Sequence, residues 1–374
     1  MQKYEKIKYA AIAAVFLLFI FGFAVAGIFY RAPNPLKSER RTPASFPALS
    51  FDAVADASFM DGLEDYISDN FPLREEFRKI KAAALFAVFF QKDNNGVYRY
   101  DGYLSKIEAS YDEKMIALAG RKFEKLKSGF LSGLNAYLAI IPDKNYFLSD
   151  AGGYPAYDYG GFVKLLRENA PDLKYIDLFD TLSLEDFYKT DLHWDQSKIS
   201  KVIDRLSSEM GFVRADTEYT PHTLDGFSGS FAGQFAYPVV SETLTYLTSE
   251  TTDSAKVYVL DDKTKEYRER PMYDEANFSH VDPYDVFLDG PTTIIKIVNG
   301  KCASDKRLVI FRDSFGSSAS PLLVDGYSEI YIVDLRYASS GLLEAFVDVR
   351  EGDDALFLYS TTVLLNSAAT FKVY

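Results

Sequence analysis

A chain of 374 residues, 48% of them hydrophobic and with no low-complexity tract, has the composition of a globular protein and enough material for a sizeable buried core. Its formal net charge of −13 argues against nucleic acid as a partner, because a phosphate backbone rewards basic surfaces; a neutral sugar polymer or a basic protein stays compatible. The one cysteine, Cys302, excludes an intramolecular disulfide and a Cys-cluster metal site, and reads as a small buried hydrophobe.

The first element is an apolar stretch from Tyr9 to Tyr30 without a charged residue. Its 22 residues, at 1.5 Å each, reach about 33 Å, enough for a bilayer core of about 30 Å. Lys3, Lys6 and Lys8 before it favour a cytoplasmic N-terminus. Arg31, Lys37, Arg40 and Arg41 after it weigh the other way, but only a short stub precedes the span, and N-in is the expected topology. Ala24-Val25-Ala26 also offers a signal-peptidase site. The stretch is long for a cleaved signal, so an anchor is preferred, and on either reading the bulk of the chain is exported, at the cell membrane or secreted. Residues 1–30 are thus expected to be stub and anchor. Residues 31–50, with four prolines between 31 and 47, are expected to be an extended linker, and 51–374 an extracytoplasmic domain.

Two amphipathic helices follow, one with the stripe Leu63, Tyr66 and Ile67, the other with Phe77, Ile80, Ala84, Leu85 and Val88. Asp69-Asn70-Phe71-Pro72 breaks the chain between them. Helix stripes then alternate with short apolar runs. The stripes are Met115 to Phe130, residues 161–169 and Ile199 to Met210; the runs are 137–141, 175–179, 308–311, 330–333 and 355–359. Continuous apolar runs alternating with helices predict parallel strands buried on both faces, hence a three-layer α/β/α sandwich. Residues 214–290 break this rhythm and are expected to be a β-rich insertion, with Lys256–Leu260 and Glu266–Arg270 as a hairpin.

Three histidines exist, His193, His222 and His280. His193 lies in Tyr188-Lys189-Thr190-Asp191-Leu192-His193-Trp194-Asp195, after a predicted strand and before a helix, where open α/β sheets place ligands. In an extended stretch Asp191 and His193 leave the same face, so the carboxylate can accept from one ring nitrogen and leave the other to take a proton. The plainer alternative is a loop histidine, with Thr190 or Asp195 capping the next helix. A second segment, Arg307 to Ser318, is an apolar strand followed by Asp313-Ser314-Phe315-Gly316. Ser314 there would stand at the sheet's C-terminal edge, facing helix N-terminal amides, or serve only as an N-cap. His222 and His280 have no carboxylate at telling spacing, and nothing in the spacing of the three histidines suggests a metal site.

Residues 188–194 (YKTDLHW) and 308–337, including Asp313-Ser314-Phe315 and Asp334-Leu335-Arg336-Tyr337, resemble the DHHW family and the related alginate O-acetyltransferase proteins, which are SGNH-hydrolase-like domains in permuted order. Weaker similarity covers Asp69 to Arg74, Tyr100 to Leu104 and Ile141 to Lys144. The resemblance implies Ser314 as nucleophile, His193 as general base and Asp191 as its orienter, with Arg336 and Tyr337 as substrate-binding candidates, an ion pair being the alternative role for Arg336. Trp194, which adjoins His193, is a further substrate-binding candidate. Leu192 stands where the family name has its first histidine, Arg312 replaces the glycine of Gly-Asp-Ser, and no Gly-x-Asn block is evident. No metal or other cofactor is implied. The resemblance further implies an O-acetyltransferase acting on an extracytoplasmic polysaccharide, supplied with acyl groups across the bilayer by a multipass membrane acyltransferase. An acetyl-esterase with the same residues, or a non-catalytic envelope scaffold that binds glycan, are the alternatives.

Overall fold

The computed structural model describes residues 2–214 and 217–373. Two compact units emerge, residues 1–94 with 233–238, and residues 95–232 with 239–374.

In the first unit the apolar stretch forms one helix, α1 (Gln2–Phe29). Its section Tyr4–Phe29 has a mean hydropathy of 2.8 and none of it is buried, the length and composition of a helix that can cross a membrane. The expected pair of helices follows as α2 (Ser58–Asp69) and α3 (Arg74–Ala87). The segment before them is not a free extended spacer: it folds back at 36–41, where Leu36 N–H donates to Arg41 O at 2.9 Å. Arg41 donates from both terminal nitrogens to the buried carboxylate of Asp69 at 2.6 and 2.5 Å, and Ala32 N–H donates to Asn70 Oδ1 at 3.0 Å. That guanidinium contact, above all, holds the Asp69 carboxyl below the usual carboxylate range. The apolar stripe of α3 is not folded away: Ile80 and Val88 are 62% and 65% exposed.

The second unit is built on an eight-stranded sheet. In chain order its strands are β1 (Asn135–Ile141), β2 (Lys174–Asp177), β3 (Lys256–Leu260), β4 (Tyr267–Arg270), β5 (Ile294–Val298), β6 (Arg307–Arg312), β7 (Glu329–Val333) and β8 (Asp354–Ser360). In space they run β2-β1-β8-β6-β7-β5-β3-β4. The first five are mutually parallel, and β5, β3 and β4 continue the sheet as an antiparallel wing. The hairpin expected inside a β-rich insertion is therefore the far edge of the main sheet. A separate hairpin pairs Thr220–Phe227 with Glu242–Thr248.

Every residue of β6 is buried, because its alternating side chains meet a covered face on both sides. Val309 and Phe311 join a core with Ile116, Ala119 and Phe123 of α4 (Glu113–Ser128) and Leu364 near the C-terminus. Leu308 and Ile310 point the other way, into a core with Val202, Ile203, Leu206 and Met210. Helices on both faces of a mainly parallel sheet make the three-layer α/β/α architecture. With the parallel strands aligned, the segments after β1, β6, β7 and β8 all emerge on one edge.

Candidate active site

Strand β6 ends at Arg312, and Asp313 caps the six-residue helix α5 (Ser314–Ala319) by accepting from Phe315 N–H at 3.0 Å. The other oxygen of Asp313 accepts from Ser360 N–H at 2.7 Å and Ser360 Oγ at 2.6 Å, which locks the end of β6 to the end of β8. Ser314 is thus the first residue past the strand edge, half-buried among buried neighbours. Gly316 allows the tight turn: a Cβ there would lie 2.5 Å from Arg312 Cβ. Because Asp313 occupies Phe315 N–H, that amide is not offered to an incoming oxyanion.

His193 Nε2 lies 2.7 Å from Ser314 Oγ, and His193 Nδ1 lies 2.5 Å from Asp191 Oδ1. The structure therefore brings together three side chains from two segments. The local geometry differs from the extended stretch expected for 191–193. Asp191 Oδ1 also accepts from the backbone N–H of His193 at 3.0 Å, a side-chain turn that folds carboxylate and imidazole onto each other. Residues 188–193 are pinched off by Tyr188 N–H donating to His193 O at 3.0 Å. Asp195 caps the following turn, accepting from Ser197 N–H at 3.0 Å.

The loop that carries Asp191 is braced on several sides. Ser230 N–H donates to Asp191 Oδ2 at 2.6 Å, and Glu242 accepts from Thr190 N–H and Thr190 Oγ1, each at 2.6 Å. Gly229 lies so close that a Cβ on it would sit 2.2 Å from Thr190 O and 2.3 Å from Asp191 N. Lys144, buried at the start of the helix Lys144–Gly152, donates from Nζ to Tyr188 O at 2.8 Å and Lys189 O at 3.1 Å. Burial pulls its amine down to about 7, against the opposing pull of the Asp191 and Glu242 carboxylates.

Sequence reasoning missed the residue in closest contact with the imidazole plane. Tyr284 lies parallel to the His193 ring at a centroid separation of 3.8 Å, while Phe315 approaches at 4.9 Å. Tyr284 donates its hydroxyl to Ser318 Oγ at 2.7 Å, and burial holds that phenol well above its ordinary value, so it stays protonated. Its segment, Asp282-Pro283-Tyr284-Asp285, holds only a proline-started turn as a sequence signal, which says nothing of a histidine ninety positions earlier.

Trp194 is corrected as a substrate-binding candidate. It is completely buried, packs edge-on against Phe315 at 5.3 Å and donates Nε1–H to Ser318 Oγ at 2.8 Å, so its ring has no face left for a ligand. Arg336 lies beyond β7 in a two-point ion pair with buried Asp334, at 2.9 and 2.5 Å, and Tyr337 next to it is 43% exposed. Arg312 is buried beneath the turn, with Nη2 donating to Gly290 O at 3.3 Å and Nη1 lying 4.0 Å from Asp334 Oδ2. His222 stacks on Tyr246 and bonds Thr248 Oγ1 at 2.9 Å, and His280 is exposed. Neither joins the cluster, and among the described residues no group of His, Cys, Asp and Glu is arranged to hold a metal ion.

The fold has known counterparts. A DHHW family protein from Eubacterium siraeum superposes with a TM-score of 0.60 at 20% identity, over 75% of this chain and 96% of its own. Bacillus cereus PatB1 does so with a TM-score of 0.59 at 18% identity, over 74% of this chain and 99% of its own; PatB1 has also been captured with a sulfonyl adduct. A looser likeness, TM-score 0.43 at 13% identity over 73% of this chain and 93% of the other, is to the O-acetyltransferase domain of Pseudomonas putida AlgJ, and at that score it bears on neither fold nor function. No protein-family model matches the chain, and no curated protein matches it significantly. The α/β/α sandwich resembling the DHHW type is thus met at the level of the fold.

Proposed function

We propose that this protein is a membrane-tethered serine acyltransferase that moves an acyl group, most simply acetyl, onto a hydroxyl of an extracytoplasmic polysaccharide. One observation carries the reading: the continuous hydrogen-bonded path Asp191–His193–Ser314, with 2.5 and 2.7 Å links. In that arrangement His193 Nε2 takes the Ser314 proton as Oγ attacks the acyl carbonyl, and Asp191 holds the Nδ1–H and balances the imidazolium. The imidazolium returns the proton to the departing group of the donor, leaving acyl-Ser314. A sugar hydroxyl then gives its proton to His193, attacks the acyl-serine and restores Ser314 Oγ–H. Tyr284, stacked on the imidazole, suits a ring that carries positive charge at each transition state.

The tether is supported by more than hydropathy. Between Tyr4 and Phe29 only Phe23 and Gly27 are half-buried, the rest being exposed. Phe23 stacks on Phe71 at 5.2 Å and meets Phe77 edge-on at 5.6 Å. A helix whose last turns pack on the folded part favours a retained anchor over a removed signal. A multipass acyl supplier and a polysaccharide acceptor complete the reading, along with Arg336 and Tyr337 as candidate contacts to acceptor oxygens.

The test is turnover of a small acetyl ester by the full chain in detergent, with and without oligosaccharide. Acetylated oligosaccharide that disappears in Ser314→Ala supports the proposal. Hydrolysis indifferent to oligosaccharide makes it an esterase, and no turnover by either route overturns the catalytic reading.

A further inference from the structure

Most of the apolar stripe of α3 has no protein over it. At 3.6 residues per turn, Phe77, Ile80, Ala84 and Val88 fall within an arc of about 80°, with Leu73 at the cap before the helix. Such a stripe normally faces a core. Here Leu73, Ile80 and Val88 are 56%, 62% and 65% exposed, and Phe89 and Phe90 after them are 67% and 81% exposed. The member that does have a partner, Phe77, packs on Phe23 of α1, as does Phe71 just before the helix. Pro72 lies over Gly27, one turn further along α1.

The depth of that contact follows from length. The 26 residues Tyr4–Phe29 extend about 39 Å, some 9 Å more than a hydrocarbon core of about 30 Å, so a centred span overhangs by about 4–5 Å at each end. Phe23 is six residues, about 9 Å, before Phe29, which puts it just inside the hydrocarbon edge. Phe71 and Phe77 sit against it, at the same level. The exposed members of the stripe therefore start where acyl chains meet headgroups. Lys79 is exposed beside Ile80, where its long stem can lie along apolar surface while the ammonium group reaches lipid phosphates.

We infer that the α3 stripe from Leu73 to Val88 is a membrane-interface element, covered by lipid of the leaflet at the C-terminal end of α1. The inference rests on reading α1 as a retained span. It makes the attachment two-part, a spanning helix and an interfacial helix braced on it through Phe23, Phe71 and Phe77. An anchor of this kind restricts tilt and rotation of the unit it carries, as a single flexible tether does not.

The experiment uses the full chain in lipid nanodiscs, with Cys302→Ala to remove the native thiol. Single cysteines replace Phe16, Ile80, Val88 or, as a control on an exposed helix face of the second unit, Lys164. Each is labelled with an environment-sensitive fluorophore, and quenching is compared between lipids brominated near the headgroup and near the chain ends. The buried Trp194 emission reports that each variant is folded. The expected result is a blue-shifted label at positions 80 and 88, quenched by shallow bromines. A label at 16 should be quenched by deep bromines, and one at 164 by neither. With position 16 quenched, red-shifted unquenched labels at 80 and 88 mean that water covers the stripe. Blue-shifted unquenched ones mean that another protein does. Either result overturns the inference and leaves the anchor standing. An unquenched label at 16 overturns the anchor reading itself, and the inference with it.

Discussion

Tyr284 lies face to face on the imidazole of His193, with centroids 3.8 Å apart and planes 6° from parallel. The negative face of the phenol ring is offered to a group that becomes cationic when it takes a proton, a contact worth about 0.5–2 kcal/mol to the charged form. Tyr284→Leu should therefore slow ester turnover by about 2- to 30-fold with the protein still folded. Tyr284→Phe keeps the ring and loses only the bond to Ser318, so it should retain most of the activity. Equal losses in the two variants, measured as kcat on a small acetyl ester, would shift the credit from the ring face to the hydroxyl.

Removing Ser314, His193 or the charge of Asp191 should have much larger effects, because the three act as one unit. Ser314→Ala, His193→Ala and Asp191→Asn should each lower kcat by about 10³-fold or more, and the double variant Ser314→Ala/His193→Ala by little beyond either single one. A sulfonyl fluoride should add its sulfonyl group to Ser314 in the wild type and to no residue in His193→Ala, read by mass spectrometry of the digested protein. Labelling spread over other serines would count against an activated Ser314.

Lys144 makes stability depend on pH. Its amine sits near 7 in the folded protein, against an ordinary value near 10.5, so between those values the unfolded chain binds a proton that the folded one does not. Stability of the wild type should rise with pH across that window, by at most about 1.4 kcal/mol per unit, and be insensitive to this group below it. Lys144→Met should abolish that rise. It should also destabilise the protein by about 1–3 kcal/mol, because the buried carbonyls of Tyr188 and Lys189 lose their donor. Urea unfolding at a series of pH values reads both effects.

Gly229 offers a test of loop placement that touches none of the side chains of Asp191, His193 and Ser314. A methyl group there would overlap Thr190 O and Asp191 N at 2.2 and 2.3 Å, both backbone atoms. Gly229→Ala should displace the Asp191 turn from Ser230 and cost about 2–4 kcal/mol of stability. Activity under folding conditions should fall more than that of a variant equally destabilised elsewhere, such as Ile116→Ala in the core on the other face of the sheet.

Much of this protein was legible before folding. Leu308 to Phe311 reads as a buried strand because all four residues are apolar and the run is too short for a core helix. Ile199 to Met210 reads as one helix face because its apolar residues recur at three and four. The serine and the histidine stood out by local context. Tyr284 and Lys144 could not be found that way, since nothing in a chain marks a tyrosine that will stack on a ring ninety residues earlier, or a lysine that will brace a loop forty-four residues later. Trp194 failed for the complementary reason: adjacency to His193 suggested a ligand contact, but neighbouring residues on a turn point in different directions, and this one points into the core.

Continuous apolar runs and three-to-four spacing marked, by themselves, strands such as Leu308 to Phe311 and helix faces such as Ile199 to Met210, because those preferences are set by local backbone geometry and by the transfer of side chains out of water, while Ile294–Val298 went unread as a strand. Tertiary structure alone decided what meets each face. It carried the hairpin from Lys256 to Arg270 into the main sheet, brought Ser314 within 2.7 Å of His193 across 121 positions, and left the α3 stripe uncovered beside an apolar helix. The reason is physical: an apolar face is indifferent to whether protein or lipid covers it, and a hydrogen bond between distant residues forms only where the packing of everything between them holds the two atoms in reach.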